Sequence, residues 1–409
     1  MTRRPVVVVI GTRPEAIKMF PVVHALARSE TIQPLVVTTG QHRDLVAPVL
    51  EMAGIEPDVD LDVGRAGMSV NDLVIAVMQG MGDLLGRLSA VDPDPFYPAA
   101  VLVHGDTSSA MAAALAAFHC RVPVVHVEAG LRTRDPRSPF PEEMNRQLIG
   151  RMAVFHLAPT LYNAENLVRE RVPYELVFVT GNTAIDALRW SAERQVAFHD
   201  PRLTGADLSG RRIVVVTAHR RENWGAGIEG IVEAVRRLAD SHPEIVFVWP
   251  VHPNPLVSGP VVAGLEGRDN VLLTAPLDYG EFAHLLARAH LALSDSGGVQ
   301  EEGPAVGTPV LVARESSERL EGVDTGALRL VGTDPDVIVP TAEALLSDDG
   351  LHAQMAQAPN PFGDGRASER IVAALEHIAA GGPEPTPFGS GFSRAAVLDA
   401  AGYSPGSGL

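Results

Sequence analysis

The chain reads as an α/β protein built on parallel sheets, and three observations predict it. Short β-branched runs alternate with stretches of helical apolar spacing, polar motifs follow the ends of those runs, and the pattern occurs in two halves of similar length. The runs lie at residues 6–10, 35–38, 101–103 and 124–127, then at 213–217, 245–249, 291–293 and 310–313. Because they lack polar alternation, they predict strands covered on both faces. Residues 16–27, 110–118, 144–152, 228–238 and 282–289 repeat apolar positions at helical spacing, which predicts helices packed on both sides of each sheet.

Of 409 residues, 46% are hydrophobic and 20% charged, which excludes collagen, coiled coil and wholesale disorder. At about 150 residues per domain, the length predicts two or three domains. A polar stretch at 188–211, with Gln195, His199, Asp200, Pro201 and Gly205, places the linker there or slightly earlier. Beyond Ala380 the chain turns to Gly, Pro and Ser, read as a weakly ordered tail with one short helix at 393–401. A net charge of −17 repels polyanions, so neither nucleic acid nor an acidic membrane is an expected partner. The single cysteine, Cys120, allows no intrachain disulfide and no Cys-based zinc site, and a reducing cytoplasm is the expected location. The sequence shows no apolar run near the ~20 residues of a membrane span.

The first strand runs into Gly11-Thr12-Arg13-Pro14-Glu15, with Lys18 one turn further. Backbone N–H groups at a helix start, with Arg13 and Lys18, suit a phosphate or a partner carboxylate. The competing reading is a surface turn with solvated cations. His104-Gly105-Asp106-Thr107 follows the third run and His126-Val127-Glu128-Ala129-Gly130 ends the fourth, so two carboxylates stand at neighbouring strand ends. A helix cap, or an ion pair with Arg132 or Arg146, would be the structural explanation of either. Pro141-Glu142-Glu143 opens a helix, where an acid also complements the helix dipole.

In the second half, Thr217-Ala218-His219-Arg220-Arg221-Glu222-Asn223 again follows a strand, and one histidine with two arginines can bind phosphate. A satisfied structural histidine is the alternative for His219, and more so for His252. Ser294-Asp295-Ser296-Gly297-Gly298-Val299-Gln300-Glu301-Glu302 places hydroxyl and backbone donors at a helix start, as a diphosphate cradle would, with Glu302 placed to accept from ribose hydroxyls. An ordinary Gly-rich turn is the competing reading. No GxSxG elbow surrounds the serine, no HExxH occurs among the fourteen histidines, and no dinucleotide fingerprint follows the first strand, so neither metal nor cofactor is expected.

Ten segments in order over residues 6–370, namely GTRPEAIKM, TGQH, HGDT, HVEAGLRT, PFPEEMNR, GNT, TAHRREN, SDSGGVQEE, GTPV and NPFGDG, closely resemble the non-hydrolysing UDP-N-acetylglucosamine 2-epimerases. The resemblance implies a GT-B-like fold: an N-terminal Rossmann-like domain over 1–185, a UDP-binding Rossmann-like domain over 186–365, and a helix at 366–380 returning to the first. It implies a homodimer that interconverts UDP-GlcNAc and UDP-ManNAc through UDP elimination and re-addition. It further implies Asp106, Glu128 and Glu142 as acid/base groups and His219 as an assistant at the phosphate or a residue that tunes a neighbouring acid. Arg13, Lys18, Ser296, Gly297, Gly298 and Glu302 would hold UDP, Phe282 would lie along the uracil, and Arg314 with the Ser317-Glu318-Arg319 segment would reach the sugar or diphosphate. The chain departs from the family at Gly64-Arg65-Ala66-Gly67-Met68-Ser69, near the region that binds an allosteric UDP-GlcNAc in bacterial relatives, and at Ser316–Glu321. Competing functions are a hydrolysing 2-epimerase releasing ManNAc and UDP, a GT-B glycosyltransferase and a non-catalytic sugar-nucleotide sensor.

Overall fold

A computed structural model describes residues 3–389 apart from Ala66, Pro93, Pro95, Phe96, Gln195 and Glu318. The expected helix at 393–401 and Glu318 therefore lie outside the described residues. The chain forms two compact units, Met1–Ala187 with the chain from Gly363 onward, and Leu188–Phe362.

The first unit holds a seven-stranded, all-parallel sheet of β1 (Arg4–Ile10), β2 (Ile32–Thr38), β3 (Val59–Asp60), β4 (Ala100–His104), β5 (Val124–Val127), β6 (Phe155–Ala158) and β7 (Val177–Val179). Its order is 3-2-1-4-5-6-7. Residues 6–10 of β1 are almost wholly buried, as a central strand with helices on both faces must be. One face packs Val7, Val9, Val101 and Val103 against the helices Val70–Val91 and Ser108–His119. The helix Ala367–Ala380 belongs to this unit: Asp186 accepts N–H bonds from Ala367 (3.1 Å) and Ser368 (2.7 Å) at its start. Past it, the Phe388 N–H donates to the Val179 carbonyl at 2.8 Å and the ring packs beside Val177 and Val179.

The second unit repeats the pattern with β8 (Ile213–Thr217), β9 (Val246–Pro250), β10 (Val271–Thr274), β11 (Leu291–Ser294), β12 (Val310–Val312) and β13 (Leu328–Leu330), all parallel, in the order 10-9-8-11-12-13. Counted within its own unit, this is again 3-2-1-4-5-6. Such an order leaves a crevice at the carboxyl ends where the winding reverses, between β1 and β4 in one unit and β8 and β11 in the other, and ligands of open α/β sheets bind there. Fold and site position are thereby linked.

One helix bears on the expectation about membrane spans. The helix Val70–Val91 has 22 residues and a mean hydropathy of 1.2 over an 18-residue window, long and apolar enough by length and composition to cross a membrane. Asp72, Asp83 and Arg87 break the apolar run when the sequence is read linearly. In the fold, the stripe Leu73, Val77, Met81, Leu84 and Leu85 is buried against the first unit's core.

Candidate active site

In the first unit the helix Arg13–Ala27 starts right after β1, and its free N–H groups are taken by the chain itself. Glu15 closes a capping box: one carboxylate oxygen accepts from the N–H groups of Gly11 (2.9 Å) and Thr12 (2.7 Å), the other from the Thr107 hydroxyl (2.7 Å). Burial pushes the Glu15 pKa up, against the lowering influence of these bonds and of the Thr12 hydroxyl. Gly11 is required here, since a Cβ would stand 2.4 Å from the Ser109 hydroxyl oxygen. Of the two ligands the sequence allowed at this helix start, phosphate or carboxylate, the fold supplies a carboxylate.

Lys18 is likewise engaged: it donates to Glu128 in a short ion pair. Glu128 follows β5 with φ of +62°, a left-handed conformation that a non-glycine residue adopts at some energetic cost and that often marks functional loops. Its side chain is 18% exposed, and His104 Nε2, at the end of β4, lies 3.6 Å from its other oxygen. Burial alone would raise the Glu128 pKa; the Lys18 ammonium, His104 and Arg146 outweigh it and hold the carboxyl at about 2. Burial drives His104 the other way, to about 4, despite the neighbouring carboxylate. Next door, Gly105 turns the chain at φ +65° and accepts a 2.7 Å hydrogen bond on its carbonyl from His126.

Asp106 is half-buried, and one of its oxygens accepts from Arg146 Nε (2.8 Å) and Nη2 (2.7 Å). Asn145 donates to its backbone carbonyl at 2.9 Å. Both partners come from the first turns of the helix Glu142–Met152, so the ion pair weighed as a structural explanation of Asp106 does form. At that helix start the adjacent acids divide. Glu143 is fully buried and accepts from the N–H groups of Thr133 and Arg134 and from Gln147 and Arg146, so it anchors a loop. Glu142 keeps one carboxylate oxygen buried with no hydrogen-bond partner among the described residues. A buried, unsatisfied oxygen invites a proton or a ligand donor.

In the second unit the buried Asp295, just beyond β11, organises the loop after β8. It accepts from the N–H groups of His219 (2.9 and 3.1 Å) and Arg220 (2.8 Å) and from Asn223 Nδ2 (3.0 Å). Arg220 leaves its Nε buried and unpartnered among the described residues. Ser296 precedes the helix Gly297–Ala305, and its hydroxyl makes no capping bond. The Arg319 guanidinium lies over Gly297, where a Cβ would be 2.9 to 3.0 Å from it, and is held by Glu301 through bonds of 2.8 and 2.7 Å. Glu302, nearly buried, faces the Tyr279 hydroxyl at 3.5 Å. Arg314 donates to Glu222 at 2.6 Å and so ties the β12 end to the β8 loop.

The structure thus brings Asp106, Glu128 and Lys18 together beyond β4 and β5 of the first unit, and in the second sets His219 and Arg319 on the loops after β8 and β12 and Ser296, Gly297, Gly298 and Glu302 at the helix start after β11. Phe282 packs against the cluster of Leu203, Leu208 and Leu285, whereas the aromatic meeting Glu302 is Tyr279. Arg13, half-buried, has no side-chain partner among the described residues. Sequence reasoning gave no role to His104, Glu15 or Asp295; the one available signal was that each falls within three residues of a strand end or opens a helix. Among the described residues one trio, His199, Asp278 and Glu281, is close enough to hold a metal, but both Glu281 oxygens already accept N–H bonds, from His199 and Asp278.

Comparisons with known proteins identify the family of the chain. A sequence profile of the UDP-N-acetylglucosamine 2-epimerase family matches residues 24–376. The UDP-N-acetylglucosamine 2-epimerase of Yersinia pestis is 46% identical over 377 residues, 91% of this chain and 98% of that protein. The crystal structure of UDP-GlcNAc 2-epimerase from Neisseria meningitidis bound to UDP-GlcNAc superposes with a TM-score of 0.77 at 39% identity, covering 91% of this chain and 99% of that one. A glycosyltransferase from Rickettsia africae shares the fold alone, at a TM-score of 0.60 and 12% identity over 93% of this chain and all of that one. The chain belongs to the UDP-N-acetylglucosamine 2-epimerase family, with its GT-B-like pair of Rossmann-like domains, and is an enzyme of the isomerase class.

Proposed function

We propose that this enzyme interconverts UDP-GlcNAc and UDP-ManNAc without hydrolysis, through loss and return of UDP. The C2–H of the sugar has no adjacent carbonyl to acidify it. A carboxylate with a pKa near 2, such as Glu128, is too weak a base to remove it unaided. The C1–O bond must therefore break first or concertedly, so that positive charge at C1 acidifies C2–H. A carboxylate then takes the proton, the C1–C2 double bond forms, and 2-acetamidoglucal stands beside UDP. Delivery of a proton to the opposite face of C2, with UDP oxygen re-forming its bond to C1, gives the epimer. Two faces need two acid/base positions, and Asp106, Glu128 and Glu142 are the groups we assign to them.

The departing diphosphate carries the negative charge that must be stabilised. The uncapped helix start at Ser296-Gly297-Gly298, with Arg220, Arg319 and Arg314, suits that task, and Glu302 suits the ribose hydroxyls. We assign Arg13 to the same ligand, Lys18 to both the ligand and Glu128, and His219 to the diphosphate. The observation carrying the reading is the pair of carboxylates that follow the adjacent parallel strands β4 and β5, each paired with its own cation. Homodimer formation belongs to the same proposal. The packed helices Val70–Val91 and Ser108–His119 expose Ile75 (63%), Val91 and Phe118 (55%), an apolar surface a second copy would cover. A reducing cytoplasm suits the exposed free Cys120.

The test is product identity. Purified enzyme incubated with UDP-GlcNAc should yield UDP-ManNAc with its phosphorus resonances intact by NMR. Accumulation of free ManNAc and UDP would instead make it a hydrolase.

A further inference from the structure

His219 is held on three sides. Its N–H donates to Asp295, its carbonyl accepts from Trp224 Nε1 at 3.3 Å, and its ring stacks on His252 with centroids 6.1 Å apart and planes at 15°. The ring also turns back toward the carboxylate that anchors its backbone: Nδ1 lies 3.4 Å from Asp295 Oδ1. Nε2 has no protein partner among the described residues, and the side chain is 40% exposed. The arrangement therefore has a buried, charged end and an open end.

We propose that Asp295 is a positioning residue that fixes His219 in the Nδ1–H tautomer, so that Nε2 is presented to the ligand. The inference rests on the reading that His219 acts at the diphosphate. An anchor for the loop alone would be complete with the N–H groups of His219 and Arg220 and the Asn223 amide, three donors on one carboxylate. The approach of the carboxylate to Nδ1 at 3.4 Å does something different: its charge favours the proton on that ring nitrogen in the neutral imidazole. Nε2, open to solvent, then takes a proton from water as UDP-sugar binds, the imidazolium donates it in a hydrogen bond to a diphosphate oxygen while the C1–O bond breaks and re-forms, and the proton goes back to water on product release. The charged and titratable groups acting on the ring are Asp295, Arg220 and His252. Burial lowers its pKa, while Asp295 opposes burial and favours the imidazolium.

The wild-type protein gives the first test, because imidazole nitrogen-15 NMR distinguishes tautomers. With His219 assigned by its disappearance in His219→Asn, the expected signature is a protonated Nδ1 and an unprotonated Nε2 in the neutral form; the reverse pattern overturns the proposal. In Asp295→Asn, kcat should fall about 10- to 100-fold with KM changed by less than about 3-fold, and His219 should shift toward the Nε2–H form. In a His219→Asn background the same change should cost less than about 3-fold more. A full additional loss in that background would mean that Asp295 acts only on the loop, and it overturns the inference. If His219→Asn by itself leaves turnover unchanged, it is the role of His219 at the diphosphate that fails.

Discussion

The two units treat the start of a helix in opposite ways. After β1, the first N–H groups are closed off by Glu15 from the same chain, which also reaches Thr107. After β11, the helix begins at Gly297 behind a serine hydroxyl that makes no capping bond, with a guanidinium laid over the first glycine. The helix start after the first strand of one unit is thus filled by a protein carboxylate, and the helix start after the fourth strand of the other is suited to an outside anion. The carboxylates of the first unit lie elsewhere, just after β4 and β5, each paired to a cation. On our reading, chemistry at C2 belongs to the first unit and most nucleotide contacts, Arg13 and Lys18 apart, to the second.

This division makes separable predictions. The largest effect is expected in the first unit: Asp106→Asn and Glu128→Gln should each lower kcat by about 10²- to 10⁴-fold, the range of general acid/base groups, while UDP affinity by calorimetry stays within about 3-fold. A large affinity loss in either would merge the two roles. Next, Arg220→Ala should weaken UDP binding by about 10-fold or more, as loss of a charge-assisted contact worth about 1.5–3 kcal/mol requires.

Glu15→Gln is the sharper control. It should cost about 1–3 kcal/mol in urea unfolding, because buried N–H and hydroxyl donors lose a charged acceptor, with unchanged UDP affinity. Ligand binding that collapses with it would mean that the backbone N–H groups after β1, and not Arg13 and Lys18 alone, take the ligand.

A pH series separates the units further. His104, His126 and His156 lie buried in the first sheet, with pKa values driven by burial to about 4, 3 and 4. Their folded values lie below the ordinary 6.5, so the unfolded chain binds more protons as pH falls. Stability is full above pH 6.5 and declines below it, each histidine contributing up to about 1.4 kcal/mol per pH unit. Glu128, whose folded pKa of about 2 lies below its ordinary 4.5, contributes stability above 4.5 that is lost as pH falls toward 2. Urea midpoints measured from pH 7.5 to 5 should drop, and the drop should be shallower in His126→Gln. The smallest expected effect is that of Phe388→Ala, about 1 kcal/mol, for loss of a half-buried ring beside β7 and Arg370.

Much of this architecture was legible in the sequence because central parallel strands are continuous apolar runs. The runs at 6–10, 101–103 and 213–217 mark strands lying next to the winding reversals, and the polar motifs after them mark the loops of the site. What escaped were short or mixed strands: β3 has two residues, β13 is Leu-Arg-Leu, and β6 carries His156 in a four-residue run. Partnership escaped as well. Nothing in the spacing shows that Lys18 meets Glu128, 110 residues away, or that Glu143 anchors a loop while Glu142 keeps a bare oxygen. Those distinctions arise from tertiary packing, which brings β1, β4 and β5 side by side and turns successive residues of one helix in different directions.

The most direct test of the central claim is hydrogen exchange at C2. Wild-type enzyme and Glu128→Gln are incubated with UDP-GlcNAc in D2O and followed by proton NMR. The account predicts deuterium at C2 of both epimers with the wild type and almost none with the variant while UDP remains bound. Epimer formed with its C2 proton retained would contradict it.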